Sequence, residues 1–418
     1  MQYQNPPLHR FTLNNRLRVA WLETNAPVAS AGLMVGCGSS FENHRVQQEG
    51  MAHFVEHMVF KGTHKRKAHH ILSRMDEVGG DLNAYTTKEQ TFYYATFLKE
   101  HMARALDLLA DMVSQPTFLA KEIEKERAVI LDEYHTAMDD PIDALGECFD
   151  ESLFQNHPLG HSILGTPQTI EKVDQSKLFD WHHTFYSASN MVLVLTGNYR
   201  PAKIKYWAEK FFSHFKEGKP AKPPEFFEEK TSFNKQSQKA VQSAYVMTGR
   251  SLFGLYDKRR LPMFLLNNML GGPGMNSRFN MGIREKYGLT YFLESQYSPF
   301  QSGGSWAVAW AAPDKKTKRV NELIWKELNR FIEKPLGPVQ WHKAKTQLKG
   351  QLALSNASSS HLLHVIARSI LVFDALETLP ETFEKMDAIQ PGDIQDLARE
   401  VFDRDAFCTY SIRPLEDN

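Results

Sequence analysis

The chain has 418 residues, 42% apolar and 23% charged, which excludes collagen-like, mucin-like and largely disordered proteins and, at roughly 150 residues per domain, predicts two or three folded domains. Forty-nine basic residues balance 49 acidic ones, so no net field draws the chain to nucleic acid or to an anionic membrane. Cys37, Cys148 and Cys408 lie too far apart for a CxxC pair or a disulfide framework, the N-terminus carries no apolar signal segment, and no apolar run approaches a membrane span, so the expected location is the cytoplasm.

In chain order, RLRVAWLE and VASAGLMVG read as strands, and a helix is expected around Gly50 to Phe60. Within that helix AHFVEHM places His53, Glu56 and His57 in the order H-x-x-E-H, the inverzincin pattern. His53 and His57 are one turn apart on one face, and Glu56 lies about 60° from His53 around the axis. Two imidazoles can then hold a zinc ion while the carboxylate reaches its water. A random chain of this composition contains about 0.05 such strings, so the pentapeptide is suggestive rather than decisive. The neighbouring His64, His69 and His70 lack complete ligand spacing and read as surface residues. A second helix ends at Gly79 and Gly80, and DLNAYTTK and QTFYYATFL alternate as paired strands.

Long helical segments follow from about Lys99 to Phe154. In one of them Ile123, Ile130, Tyr134 and Ala137 form an apolar stripe, with Glu122, Glu126 and Glu133 on its shoulder. A catalytic zinc usually takes three protein ligands, and this geometry alone does not choose among the glutamates. Surface pairing with Arg127 or lysines is the commoner fate of such residues. QTIEKVD at 168–174 recurs as ETFEKMD at 381–387, each before a helical segment and a short strand, VLVLTGN and AFCTYSI. The offset of 213 is about half the length and agrees with a Pro-rich, charged stretch at 216–230 that reads as a linker. The expectation is α+β: two homologous domains, 1–215 and 231–418, each an antiparallel sheet flanked by helices, joined by that linker. Strands are expected near 240–249, 289–298 and 304–311, and the glycines at Gly271 to Gly274 precede a helix rather than form a phosphate loop, because no GK[ST] follows.

GMAHFVEHMVFKGT, NAYTTKEQTFYY and ERAVILDEY together resemble the pitrilysin-type inverzincin metallopeptidases, the family of insulin-degrading enzyme and the mitochondrial processing peptidase, in a short two-domain, bacterial-type form. The resemblance covers nearly the whole chain. It implies Glu133 as the third zinc ligand after His53 and His57, one Zn²⁺ per chain, Glu126 as the residue that orients the ligands, and Glu56 as the base that acts on the zinc-bound water. Glu122 and His135 drop out by the same match. HPLGHSILGT at 157–166 also resembles a family segment, with histidines read as structural.

GGPGMNSRFNMGIREKYGLTY resembles the segment whose arginine and tyrosine, here Arg284 and Tyr291, reach the scissile peptide and stabilise its developing charge. The resemblance further implies that substrate adds as a strand beside Leu82 to Thr86, with Asn83, Ala84, Tyr85 and Thr86 as its binding residues. No metal ligands survive near Leu266 to Leu270, so the second half is a non-metal copy. The implied function is a zinc endopeptidase acting on peptides or unfolded polypeptides inside a chamber of paired subunits. A homodimer is favoured because one chain carries both motifs, and a heteromer is the other arrangement. The rival reading is a non-catalytic peptide-holding or assembly subunit of the same fold.

Overall fold

The computed structural model describes residues 7–227 and 232–415; residues 228–230 of the expected linker lie outside them, as do 1–6 and 416–418. Strands β1 (Leu8–Thr12), β2 (Arg18–Leu22) and β3 (Val28–Val35) are followed by helices α1 (Met51–Met58) and α2 (Ala68–Asp76). The hairpin β4 (Asp81–Thr86) and β5 (Thr91–Leu98) precedes helices α3 (Met102–Ser114), α4 (Ala120–Asp139), α5 (Pro141–Leu153), α6 (Pro167–Ile170) and α7 (Gln175–Phe185). Strand β6 (Met191–Thr196) and helix α8 (Pro201–Phe212) complete this half. The second half runs β7 (Asn234–Lys239), β8 (Ala244–Leu252), α9 (Arg260–Gly271), a π-helical turn at Asn280–Glu285, β9 (Phe292–Phe300) and β10 (Gly303–Ala312). Helices α10 (Thr317–Glu333), α11 (Pro338–Ser355), α12 (Ser359–Phe373), α13 (Leu379–Ala388) and α14 (Pro391–Val401) lead to the last strand, β11 (Cys408–Pro414).

Two compact units emerge, one from Met1–His135, His161–Pro223 and Ala353–Leu379, the other from Thr136–Gly160, Pro224–Leu352 and Pro380–Asn418. The first holds the sheet β1-β2-β6-β3-β5-β4, and the second holds β7-β11-β8-β10-β9. Apart from β1, the two orders correspond strand for strand. The recurring heptapeptides therefore sit in equivalent places, each upstream of the strand, β6 or β11, that lies between β2 and β3 in the first sheet or between β7 and β8 in the second.

Each sheet departs from the expected all-antiparallel form at one pairing. β2 runs parallel to β6, and β11 parallel to β7, while the remaining pairs are antiparallel. The sheets are therefore mixed. In the first sheet the physical cause lies in burial: β6 is buried at every residue and β2 nearly so, and a strand covered on both faces pairs by position in the layer rather than by a local turn.

The first sheet is covered on one face by α3, which packs on β3 and β5, and on the other by α12, which packs on β3 and β6. Ala20, Leu22, Met34, Phe92, Val192 and Val194 meet Leu363, Ile366, Ala367 and Ile370 there. In the second unit α9 packs on β9, and α5 packs on β8 and β11. Each half of the sequence thus sends one helix to the other half's sheet. Strand β4 lies at the end of the first sheet and, among the described residues, pairs with no strand but β5, so its outer backbone edge is open there.

Candidate metal centre

Helix α1 is short and almost wholly buried, so its position is set from outside the helix. Glu42, buried itself, accepts hydrogen bonds from the Gly50 and Ala52 amides at 3.0 and 2.9 Å and thereby satisfies the helix start. Burial pushes the Glu42 carboxyl well above the usual range, opposed by those backbone bonds. Gly50 has φ 86° and Gly165 φ 76°, and the two backbones meet so closely that a Cβ on Gly165 would lie 2.5 Å from the Glu49 carbonyl oxygen. The segment 157–166 therefore serves the site through a glycine. Its His157 bonds the Glu225 carbonyl oxygen and the Leu159 amide instead.

His53, His57 and Glu133 converge, with one possible ligand atom from each lying within 4.8 Å of the others. Both imidazoles present Nε2 to Glu133 Oε2 at 3.7 Å. At that length neither contact is a hydrogen bond, so three polar groups point together without bonding one another. A zinc ion held about 2.0 to 2.2 Å from each donor at tetrahedral angles would set them about 3.4 Å apart, so these residues fit the ion. Among the described residues no other such group occurs.

The protonation states agree with ligand chemistry. His57 Nδ1 lies 3.0 Å from Glu126 Oε2, so Nδ1 donates and the Nε2 lone pair faces the site. His53 is held down to about 3 by burial and by the neighbouring His57, which keeps its ring neutral near pH 7. Its Nδ1 is buried without a hydrogen-bond partner among the described residues. Glu126 is buried while Glu133 is half exposed, and Lys61 Nζ reaches the second Glu126 oxygen at 2.6 Å. Lys61 escaped the sequence reading although it lies one turn beyond His57, a spacing that could have revealed it.

Glu56 is buried and accepts a 2.5 Å hydrogen bond from Thr86 Oγ1. Burial raises its pKa above the ordinary value, with Thr86 and His57 opposing and Glu133 adding to the rise. Thr86, expected from sequence to contact substrate, is in the structure the group that holds Glu56. Glu122 pairs with Lys125 away from this cluster, and His135 is not part of it.

Arg284 and Tyr291 belong to the second unit, where both line a cavity of about 520 Å³ with Asn267, Glu294 and Tyr297. Arg284 sits on the π-helical turn and pairs with Glu285 at 3.0 Å, while Tyr291 is 77% exposed. Asn83, Ala84, Tyr85 and Thr86 all lie on the edge strand β4.

Residues 18–167 match the family model described as insulinase (peptidase family M16), and residues 172–348 match the M16 inactive domain. The chain is 31% identical over 402 residues to a Bacillus subtilis protein named an uncharacterized zinc protease, covering 95% of this chain and 96% of that one. It is 33% identical over 399 residues to a protein of the same description from Rickettsia felis, covering 93% and 94%. The crystal structure of a protease from Helicobacter pylori superposes with a TM-score of 0.91 at 20% identity, over 98% of this chain and all of that one. A Pseudomonas fluorescens structure described as a peptidase M16 inactive domain gives 0.91 at 18% identity, over 99% of each.

Proposed function

The chain belongs to peptidase family M16, the insulinase family, and we propose that it is a zinc-dependent endopeptidase acting on peptides or unfolded polypeptides. The observation that carries this reading is the convergence of His53, His57 and Glu133 beside a buried Glu56. Two neutral imidazoles and a carboxylate would hold one zinc ion per chain. When bound, the ion supplies Lewis acidity that makes water a nucleophile at neutral pH. Glu56, held by Thr86, takes a proton from the attacking water and later delivers it to the leaving amine. Glu126 and Lys61 keep His57 turned so that Nε2 faces the ion.

Strand β4 offers an open edge to an extended peptide, and backbone pairing there accepts many sequences. Arg284 and Tyr291 act on the scissile carbonyl, and two chains pair to form a chamber that encloses the substrate. The other reading, a peptide-holding subunit without catalysis, has support from the inactive members this family includes. Incubating the purified protein with unstructured peptides, with and without a chelator, decides between them. Chelator-sensitive internal cleavage supports the enzyme; tight peptide binding without cleavage by the zinc-loaded protein supports the holder.

A further inference from the structure

The two faces of β4 carry different loads. Leu82 and Ala84 pack against the main core, and Thr86 reaches Glu56. Tyr85 turns to the opposite face and enters an aromatic cluster with Phe92 and Tyr94 of β5. At the middle of that cluster stands His364 of α12. Its ring lies nearly parallel to Tyr85 at 5.2 Å, meets Phe92 edge-on at 5.0 Å and Tyr94 edge-on at 4.7 Å. His364 Nδ1 is 3.2 Å from the Tyr85 hydroxyl.

This contact bears on the strand's geometry for a simple reason. β4 is bonded to one neighbour over six residue pairs, and on its outer side nothing in its own sheet opposes a tilt away from β5. A peptide added to an edge must meet backbone groups at strand spacing, so a small rotation of β4 misaligns several bonds at once. Packing alone would be served by an aliphatic side chain, as it is at the neighbouring Leu363 and Ile366. A ring that both stacks on Tyr85 and bonds its hydroxyl fixes the side chain in direction as well as depth.

We propose that His364 is a positioning residue for substrate, holding the edge strand β4 through Tyr85 at the tilt that lets an extended peptide pair with it. The proposal rests on the reading of β4 as the peptide-accepting edge. It makes a helix from late in the chain responsible for substrate affinity at a strand from early in the chain.

The test compares His364→Ala and His364→Phe with the unaltered zinc-loaded protein, using an extended peptide and a tripeptide substrate. His364→Ala is expected to raise KM for the long peptide by about tenfold, the usual effect of losing one well-placed hydrogen bond with its packing. Zinc affinity and the tripeptide rate stay near their original values. His364→Phe keeps the ring and the packing and falls between; it also decides the matter if the alanine variant does not fold. Tyr85→Phe combined with His364→Phe adds little further loss, because both remove one bond. Unchanged KM for the long peptide, or equal losses on long and short substrates, would overturn the proposal. Peptides N-methylated at alternate backbone nitrogens test the underlying reading on the unaltered protein. If methylation leaves KM unchanged, strand pairing fails; if methylation raises KM and the His364 variants do not, the positioning role alone fails.

Discussion

Glu126 stands between His57 and Lys61, so the two helix glutamates differ in what their loss removes. Glu133→Gln takes away a charged donor and is expected to cut zinc occupancy sharply, whereas Glu126→Gln weakens it by about 10- to 100-fold through a loosened His57. Competition with a chelator ranks the two, and the reverse order would exchange their roles. Glu56→Gln is expected to retain zinc while lowering turnover by about 10²- to 10⁴-fold, since the donors remain and the proton acceptor is gone. Metal content and peptide cleavage measured on one preparation check this. The histidines also set an acid limit on the metal-free protein. His53 is held to about 3, and His182, buried and bonded through Nε2 to the Val113 carbonyl at 2.8 Å, is held to about 4. Both folded values lie below the unfolded ~6.5, so the unfolded chain binds more protons below that pH and stability falls as pH drops from about 6.5 toward 4. Each histidine contributes a slope of at most about 1.4 kcal/mol per pH unit. Denaturant titrations of chelator-treated protein across that window read the slope, and His182→Gln should make it shallower. An unchanged slope would assign the acid sensitivity to other groups.

At the scale of elements, the start of α1 depends on contacts that lie far from it in sequence. Gly165→Ala forces a side chain onto a left-handed backbone and against the Glu49 carbonyl carbon at 2.8 Å, displacing the helix that carries both histidines. A loss of about 1 to 3 kcal/mol in stability is expected, together with weaker zinc binding. Gly146→Ala, inside helix α5 where the structure leaves open space around the added Cβ, is the control and should leave zinc binding unchanged while raising stability by about 0.5 to 1 kcal/mol. Zinc titration of the two variants would contradict this account if both behaved alike. The legible elements are those whose signal is local. The alternation in DLNAYTTK and QTFYYATFL marks β4 and β5, and His53 with His57 marks one helix face. What stayed hidden has a non-local cause. Nothing in RVAWL specifies that β2 will lie parallel to β6, some 170 residues away, because strands buried on both faces carry the same apolar run whichever neighbour they take. The contact of Tyr85 with His364 is likewise absent from any local period.

For the whole molecule, the chief departure from a simple two-part chain is the exchange of α5 and α12. The amphipathic pattern of α12 shows that one face must be covered, yet it cannot name the sheet, and proximity in sequence points to the wrong one. Without α12 the first sheet would expose Ala20, Leu22, Met34, Phe92, Val192 and Val194. Uncovering a fully buried large apolar side chain costs roughly 1.5 to 3 kcal/mol, so five of them approach or exceed the roughly 5 to 15 kcal/mol by which whole domains are stable. A fragment ending at Pro223 is therefore expected to aggregate or remain unfolded even though it contains His53, His57, Glu56 and Glu133. The same fragment, with residues 136–160 replaced by a flexible linker so that α5 leaves no bare apolar face, and extended by a second linker into residues 353–379, regains the covering helix and should fold and bind zinc. Far-UV and near-UV circular dichroism with zinc titration of the two fragments reads the difference. A stable, zinc-binding 1–223 fragment would show that α12 is dispensable to the first sheet. Recovery in the extended fragment would instead establish that the metal site is completed structurally by a helix encoded some 220 residues after it, with no need of the second sheet.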